Sequence, residues 1–434
     1  MWLEHLKTAW RSLRRTPVLS ALMVAALGLG VGICMTTLTV YHLLAKTPME
    51  HKAERVFRVQ LDAEDLVGFR PGEEPEAQLT RTDAENLLQA AKGLRQVLMS
   101  GSNLAIGLPD STEAPTIERL RQTSADFFAL FETPFAHGSA WTAQDDAAEA
   151  RVVVLGHALN QRLFGGENSV GREVAVGGNR LRVVGVLKPW AMNPHVYDMS
   201  NGVYDAQEAF YMPFSTARTF KFGRSGNMNC WGDLQGRNPL DRDVSCAWVQ
   251  YWVELESAAA APAFRDYLKQ YSEAQRQAGR FQRPVNVRLY DIPSVLRIDK
   301  VLPADVRLQS ALAFAFLAVC LVNMVGLQLA KTLRRSSEIG VRRALGARRT
   351  QVFAQVLVES GLIGLLGAGL GLLLAVGGLW LLRQGPAEYA SLARMDLAML
   401  GATLLISLMA ALLAGLLPAW RAATLNPAPL LKAA

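Results

Sequence analysis

Four long apolar stretches constrain this chain more than any other feature of its sequence. They run from Pro17 to Ala45, Leu308 to Ala330, Val352 to Leu382 and Leu397 to Trp420. Each exceeds the roughly 20 residues that an α-helix needs to cross a bilayer core about 30 Å thick. The first stretch contains no charged residue and is too long for the apolar region of a cleavable signal peptide. The sequence therefore predicts four membrane-spanning helices.

Basic residues beside these stretches predict their orientation. Residues 1–16 hold four basic residues against one acidic residue, and residues 331–351 hold seven against one. Because cytoplasmic loops are enriched in Lys and Arg, both termini and 331–351 are expected in the cytoplasm, which leaves 46–304 outside. The net charge of +7 follows from this organisation rather than from nucleic-acid binding, and a charged fraction of only 19% disfavours a soluble enzyme.

The predicted fold class is an α-helical membrane protein with one span before and three spans after a large mixed α+β domain outside the cytoplasm. In the N-terminal helix, Leu3, Leu6, Trp10 and Leu13 are expected to form an apolar face lying in the headgroup plane. The expected boundaries are a cytoplasmic amphipathic helix at 1–16, spans at 17–45, 305–330, 352–382 and 397–420, an outer domain at 46–304, a cytoplasmic coupling helix at 331–351, a short outer loop at 383–396 and a cytoplasmic tail at 421–434.

The outer domain carries strand and helix patterns in alternation. Residues 55–61 predict a half-buried strand, and residues 174–186 predict a hairpin with a Gly-Asn turn. Thr82 or Asp83 is expected to cap a helix, and 190–245 predicts long loops. Further strands are predicted at 152–156, 249–255 and 285–289, and helices at 82–94, 157–164 and 262–277.

The cysteines fit the predicted topology. Cys34 and Cys320 lie within apolar spans, whereas Cys230 and Cys246 both lie in the outer domain. Two cysteines in an oxidising compartment favour a disulfide, with two unpaired buried thiols as the alternative. The sequence has no CxxC motif and no Cys/His ligand cluster, so no metal site is predicted.

The sequence offers little that indicates catalysis. It lacks the GxSxG, HExxH and GxxxxGK[ST] motifs, and its six histidines are scattered. The adjacent acids Glu73-Glu74 and Asp145-Asp146 lie in polar runs and are not favoured as a catalytic pair. We expect no catalytic residue and no activity of the chain by itself.

The segment 334–349 is the most informative part of the chain. Ser336 or Ser337 is expected to cap a short helix, and Gly346 is expected to end it in the left-handed conformation. The arginines alone require only a positive-inside bias, which remains the simpler alternative. That bias does not explain a cap, an apolar side and a glycine stop together. A short helix between two spans would act as a lever that moves both of them.

These residues carry a family resemblance. The run from Glu338 to Ala347, followed by Gln355 and Glu359, resembles the FtsX-type permease domain. The tail 418–423 with Asn426-Pro427 resembles the ending of the same family, in which Asp often stands at the position of Asn426. In the outer domain, the segments that resemble the MacB-type periplasmic core are 152–156, 163–165, 170–171, 183–186 and 211–217.

The resemblance implies the transmembrane subunit of a mechanotransmission ABC transporter in the inner membrane. Two permeases, identical or paralogous, would pair with each other and with ABC ATPase subunits. The ATPase subunits, rather than this chain, would bind ATP and Mg²⁺. MacB-type proteins carry a fused ATPase domain, so the ATPase is expected here on a separate polypeptide. A periplasmic adaptor and an outer-membrane duct are further expected partners of an exporter, besides the lipid bilayer. No nucleic acid is expected.

The resemblance also suggests site residues. Glu359 would lie near the cytoplasmic end of a span, where burial requires a partner, and glycines on the same span would allow close helix approach. The residues expected to couple to the ATPase are Glu338, Ile339, Gly340, Arg342, Arg343, Ala344, Leu345 and Gly346. Those expected to pack helices are Glu359, Gly361, Gly364, Gly367, Gly369 and Gly371.

Several functions remain compatible with this sequence. The size of the outer domain and its MacB-like motifs favour efflux or export of an unspecified substrate. Lipoprotein release of the LolC and LolE type and FtsX-like signalling to cell-wall hydrolases are alternatives. A receptor with an outer sensing domain is a non-ABC alternative, which co-purification of a stoichiometric ATPase would exclude.

Overall fold

The computed structural model describes residues 2–200, 202–204, 207–385, 390, 395 and 397–424. The chain divides into two compact units, one formed by 1–45 with 302–434 and the other by 46–301. The Asn426-Pro427 motif and much of the predicted outer loop and cytoplasmic tail lie outside the described residues.

The first unit is helical. Among the described residues, four of its helices are long and apolar enough to cross a membrane. One of the four precedes the second unit in the chain and three follow it. Pro17 begins the first of these spans, where its missing N–H is not needed and its fixed φ suits a helix. The helices of this unit are α1 (Trp2–Arg15), α2 (Pro17–Leu44), α10 (Ala304–Arg334), α11 (Ser336–Ala344), α12 (Arg349–Arg383) and α13 (Leu397–Thr424).

The second unit is a mixed sheet flanked by short helices. The strands are β1 (Val56–Leu61), β2 (Leu79–Thr80), β3 (Arg95–Gly107), β4 (Thr116–Thr123), β5 (Phe135–Gly138), β6 (Val152–Leu155), β7 (Glu173–Val176), β8 (Asn179–Leu187), β9 (Phe210–Pro213), β10 (Asn229–Cys230), β11 (Cys246–Glu254) and β12 (Val287–Asp291). The described strands join into one sheet with the order β12-β1-β11-β3-β4-β9-β6-β8-β5, to which β2 and β10 add beside β11, and β7 beside β3 and β8. The β4–β9 and β6–β8 pairs are parallel.

Helices cover both faces of this sheet. They are α3 (Arg81–Ala90), α4 (Phe127–Leu130), α5 (Ala143–Ala147), α6 (His157–Phe164), α7 (Phe214–Thr219), α8 (Ala261–Gln277) and α9 (Ile292–Ile298). Strand β11 is buried along its whole length because consecutive side chains enter different cores. Tyr251 and Val253 pack with Phe264 and Leu268 of α8, whereas Trp252 packs in an aromatic cluster with Phe127.

Three local predictions for this unit are wrong. Strand β1 is buried throughout rather than half-buried, because it lies between β11 and β12 with both faces covered. The hairpin turn is Gly177-Gly178 rather than Gly-Asn, and both glycines have positive φ. Helix α3 is capped by Thr80, whose hydroxyl accepts a hydrogen bond from the Asp83 amide at 3.2 Å, and not by Thr82 or Asp83.

The segment 190–245 is more ordered than its composition indicates. It contains β9, α7 and β10 between its longer loops. Cys230 and Cys246 form a disulfide that joins β10 to β11. This bond closes the loop 231–245 over the core that contains Trp248 and Phe214.

Candidate functional site

The short helix α11 connects the ends of α10 and α12. The prediction that Ser336 or Ser337 caps it is wrong, because only Arg335 separates α10 from α11 and both serines already lie within the helix. Gly346 follows the last turn with φ +100°, a conformation that residues with a Cβ rarely adopt. The chain can therefore reverse into α12 within a few residues.

Ion pairs attach α11 to its neighbours. Glu338 in its first turn contacts Arg335 at 3.3 Å and Arg342 at 2.9 Å. Arg342 also donates a hydrogen bond to the side chain of Gln355 on α12 at 3.1 Å. Arg343 donates to the carbonyl oxygen of Ala423 near the end of α13 at 3.3 Å. These contacts tie the short helix to α12, to α13 and to Arg335, the residue between α10 and α11.

A buried carboxylate lies directly beneath this helix. Glu359 of α12 forms an ion pair with Lys331 of α10, and its Oε2 lies 3.6 Å from a guanidinium nitrogen of Arg335. Ser12 of α1 donates a hydrogen bond to Glu359 Oε1 at 2.8 Å and accepts one from Arg335. We call Ser12, Lys331, Arg335 and Glu359 the Glu359 cluster. Because a charge at this depth requires partners, the cluster fixes the relative positions of α1, α10 and α12.

Helix α1 takes part in this packing. The side chains of Ala9, Ser12 and Leu13 are buried, whereas Trp10 lies on the outer side. The buried face brings Ser12 to Glu359, and Trp10 on the other side is free to meet the headgroup plane, which stays a prediction. The side chains of Leu3 and Leu6 lie outside the described residues.

One side of α11 remains exposed and apolar. Val341, Ala344 and Leu345 lie three and four residues apart and are all exposed, Leu345 to 83%. In contrast, Gly340 is buried, and Ile339 lines a small cavity together with Glu359. The helix thus has an inner side held by the Glu359 cluster and an outer side without cover in the described chain.

The glycines predicted for helix packing divide into two groups. A methyl group on Gly364 would meet Ala411 at 2.7 Å, and one on Gly367 would meet Leu27 at 2.7 Å. Gly371 is restricted less severely, because a methyl group there would meet Val31 at 3.1 Å and the backbone oxygen of Gly28 at 3.2 Å. A methyl group on Gly361 would make only an ordinary contact with Leu412 of α13 at 3.9 Å, and one on Gly369 would meet no atom of the described residues within 4 Å.

The acidic pairs of the second unit, residues 46–301, which we call the outer unit, have structural roles. Asp145 caps α5 by accepting the Thr142 amide hydrogen at 2.8 Å. Asp146 accepts hydrogen bonds from the Ala125 amide at 2.7 Å and from the Trp141 indole at 2.8 Å. Glu74 pairs with Arg288 at 3.2 Å. No arrangement of these groups indicates a catalytic pair among the described residues.

A second buried charge cluster lies in the outer unit. Arg121 pairs with Asp198 at 2.5 Å and with Glu208, which also accepts a hydrogen bond from Tyr197 at 2.7 Å. His195 contacts Tyr197 and lies 3.5 Å from Glu208. Burial alone would raise the pKa of Glu208, but Arg121 and His195 hold it well below its usual range. We call these five residues the Arg121 cluster, which anchors the loop before β9.

Sequence reasoning missed the partners of Glu359. Lys331 and Arg335 lie four residues apart at the basic end of a span, a spacing that places both on one helix side, and this was the available signal. Ser12 gave no such signal, because it is 347 residues from Glu359 in the chain.

Two known protein families match this chain. Residues 20–271 match the MacB-like periplasmic core domain, and residues 310–427 match the FtsX-like permease C-terminal domain. The pyoverdine export ATP-binding/permease protein PvdT of Pseudomonas aeruginosa is 26% identical over 313 residues, which cover 70% of this chain and 40% of that protein. The macrolide export ATP-binding/permease protein MacB of Rhodospirillum rubrum is 27% identical over an alignment of 443 positions, which covers 99% of this chain and 60% of that protein.

The chain thus spans about half the length of the curated relatives it matches. Among solved structures, the periplasmic region of MacB from Actinobacillus actinomycetemcomitans aligns with 58% of this chain and 97% of its own, at 14% sequence identity and a TM-score of 0.35.

Proposed function

The chain belongs to the family of permeases that join a MacB-like periplasmic core domain to an FtsX-like C-terminal domain, and on that premise we propose that it is the permease subunit of an ABC exporter. Permeases of this type are inner-membrane proteins and are not themselves catalytic. ATP and Mg²⁺ would be bound by an ABC ATPase, and a separate polypeptide for that ATPase remains a prediction. The proposed topology has both termini and α11 in the cytoplasm, with one span before and three after a periplasmic domain.

The observation that carries the proposal is the attachment of α11 to the Glu359 cluster. The exposed side of α11, with Leu345 at its end, would dock into an apolar groove of the ATPase. When the ATPase subunits close on ATP, the docked helix would move with them. Arg335 directly follows α10 and pairs with Glu338 of α11 and Glu359 of α12, and Arg342 of α11 bonds Gln355 of α12, so that movement would reach both spans together. This is the mechanotransmission expected from the sequence.

The relatives support export without fixing the substrate. One is named for pyoverdine export and the other for macrolide export. An adaptor, an outer-membrane duct and a second permease belong to the proposed assembly. Lipoprotein release and signalling to cell-wall hydrolases remain alternatives, and a receptor would not co-purify with a stoichiometric ATPase.

Leu345→Asp tests the proposal in the reconstituted complex with its ATPase. The side chain is so exposed that the substitution should leave folding and membrane level unchanged, while a charge in the docking surface should abolish most transport-coupled ATP hydrolysis. Gly346→Val should act in the same direction, because the positive φ disfavours a β-branched residue.

Arg349→Gln is the matched control for this experiment. It removes one exposed cytoplasmic charge but leaves the apolar side of α11 unchanged, so ATP hydrolysis should stay near the wild-type rate. Membrane level and ATPase stimulation are measured for all three variants. Normal stimulation by Leu345→Asp at a normal membrane level would contradict coupling through α11.

A further inference from the structure

The outer unit contains a large open groove that the coupling mechanism does not use. It lies between α3, the start of β3, α5 and α7, and its volume is about 760 Å³. Ligand pockets for drug-sized molecules have volumes of about 300–1,000 Å³. The groove is therefore large enough for one small organic molecule.

The floor of the groove is apolar. Leu98 and Phe214 belong to the buried core beneath it, and Leu88 packs against the same core. Leu94 extends this surface at the edge and is 50% exposed. A ligand with an apolar body would cover Leu94 and displace water from this surface.

The charged groups of the groove are unevenly matched. Glu85 is neutralised by Arg81 at 2.6 Å and by Arg242 at 2.8 Å. Asp126 and Asp146 accept hydrogen bonds from neutral N–H groups, but no Lys, Arg or His among the described residues forms an ion pair with either. Glu149 at the rim accepts a hydrogen bond from the Thr219 hydroxyl at 2.6 Å and likewise forms no ion pair with a described residue, so three carboxylates of the groove lack a cationic partner.

The titration of Asp146 is consistent with this imbalance. Burial raises its pKa to about 6 against the effect of its hydrogen bonds, and the neighbouring carboxylates of Asp126 and Asp145 act in the same direction as burial. A positive charge nearby would relieve the repulsion between these groups.

Arg218 also lines the groove, but its guanidinium is engaged by the protein. It lies 5.3 Å from the ring centres of both Phe214 and Trp248 and donates a hydrogen bond to the carbonyl oxygen of Phe222 at 2.8 Å. Such contacts hold a cation against aromatic faces without a carboxylate. Arg218 is therefore held in the wall of the groove, and among the described residues it forms no ion pair with Asp126 or Asp146.

We propose that this groove binds an organic cation with an apolar body, with the cationic group near Asp126 and Asp146 and the body on Leu94, Leu98 and Phe214. Gln96 supplies a further polar contact. It is 5% exposed, its amide oxygen accepts a hydrogen bond from Tyr251 at 2.7 Å, and no described residue bonds its amide nitrogen. That nitrogen can donate to a carbonyl or hydroxyl oxygen of the ligand. The identification of this ligand as the transported substrate rests on the proposed function.

Binding can be measured without the ATPase. The full chain is placed in nanodiscs of zwitterionic phosphatidylcholine, and equilibrium binding of tetraphenylphosphonium is compared with that of tetraphenylborate, which has the same shape and the opposite charge. Binding to empty nanodiscs is subtracted. The cation should bind saturably at one site per chain, and the anion should bind at least tenfold more weakly.

Two variants locate the site. Asp126→Asn keeps a side-chain oxygen that can accept the hydrogen bond from the backbone N–H of Gln96. It should weaken binding of the phosphonium about fivefold, as expected for the loss of a partly exposed charge pair. Leu94→Ser should weaken it to a similar extent. Asp266→Asn and Leu66→Ser change residues of the same types that are exposed elsewhere in the unit, and they should leave the affinity unchanged.

Equal or tighter binding of the borate, or an unchanged affinity in Asp126→Asn, would overturn the proposal. Saturable binding of a basic peptide without binding of the phosphonium would overturn it also, in favour of a docked protein segment. Since these measurements need no ATP hydrolysis, a failure here leaves the Leu345→Asp result standing. A failure of that experiment equally leaves the binding result intact.

Discussion

The two buried charge clusters of this protein differ in how completely they are closed. In the Arg121 cluster, the side chains of Arg121 and Glu208 are only 3% and 4% exposed. In the Glu359 cluster, exposure rises outward from the buried ion pair to 21% at Arg335, and Glu338 on α11 reaches 33%. A closed cluster holds one arrangement, because any separation leaves a charge unpaired in the interior. A cluster that opens onto an exposed helix can exchange its outer contacts with water, which suits an element that moves.

The largest effect should come from opening the closed cluster. Arg121→Met leaves Asp198 and Glu208 buried without their cation, so the outer unit should lose about 3–5 kcal/mol of stability. The measurement is amide hydrogen exchange of the full chain, read at β4 and β9. Arg180→Met is the control, because its partner Asp110 is exposed and its loss should cost less than about 1 kcal/mol. Similar protection in both variants would mean that burial does not distinguish these pairs.

The Glu359 cluster should show a smaller but coupled effect. Glu359→Gln leaves Lys331 without its partner, and the stability of the helical unit should fall by about 2–3 kcal/mol, since the nearby opening at Arg335 limits the penalty. Lys331→Gln with Glu359→Gln removes both charges and should recover at least about 1 kcal/mol of that loss. Unfolding of the full chain in mixed micelles of increasing SDS content measures Glu359→Gln, Lys331→Gln and the double variant.

Additive losses in the double variant would show that Lys331 and Glu359 are not coupled. The conclusion that this pair joins α10 to α12 would then be withdrawn. Ser12→Ala provides a further comparison, because it removes a neutral hydrogen bond and leaves both charges paired. Its effect should be about 1 kcal/mol.

The two units also differ in how far the sequence predicts them. The four apolar helices follow from length and composition alone, because a bilayer imposes one dominant requirement on each span. In the outer unit, β3 and β4 were not predicted, since β3 is buried on both faces over much of its length and shows little alternation. Helix α6, in contrast, begins and ends as predicted, because Gly156 and Gly165 mark its limits.

The candidate sites also differ in how far the sequence predicts them. The Gly346 turn could be predicted because it depends on one residue and its immediate neighbours. The partners of Glu359 and the groove at Asp126 could not, because each combines segments that are far apart in the chain. The serine cap of α11 failed for a related reason, as the closeness of α10 leaves no extended residue in front of either serine.

The smallest effect should come from the exposed ion pair on α11, next to the Glu359 cluster. Arg342→Gln removes an i,i+4 ion pair with Glu338 between partly exposed side chains, and it can still bond Gln355. The stability of the helical unit should fall by about 0.5 kcal/mol or less. Because salt screens exposed pairs, this difference should disappear at about 1 M salt, whereas the loss in Glu359→Gln should persist. The same SDS titration, with Arg349→Gln as the control, measures both. An Arg342→Gln loss as large and as resistant to salt as that of Glu359→Gln would mean that α11 is held as firmly as the buried pair beneath it, and the contrast between the closed Arg121 cluster and the open Glu359 cluster would then fail.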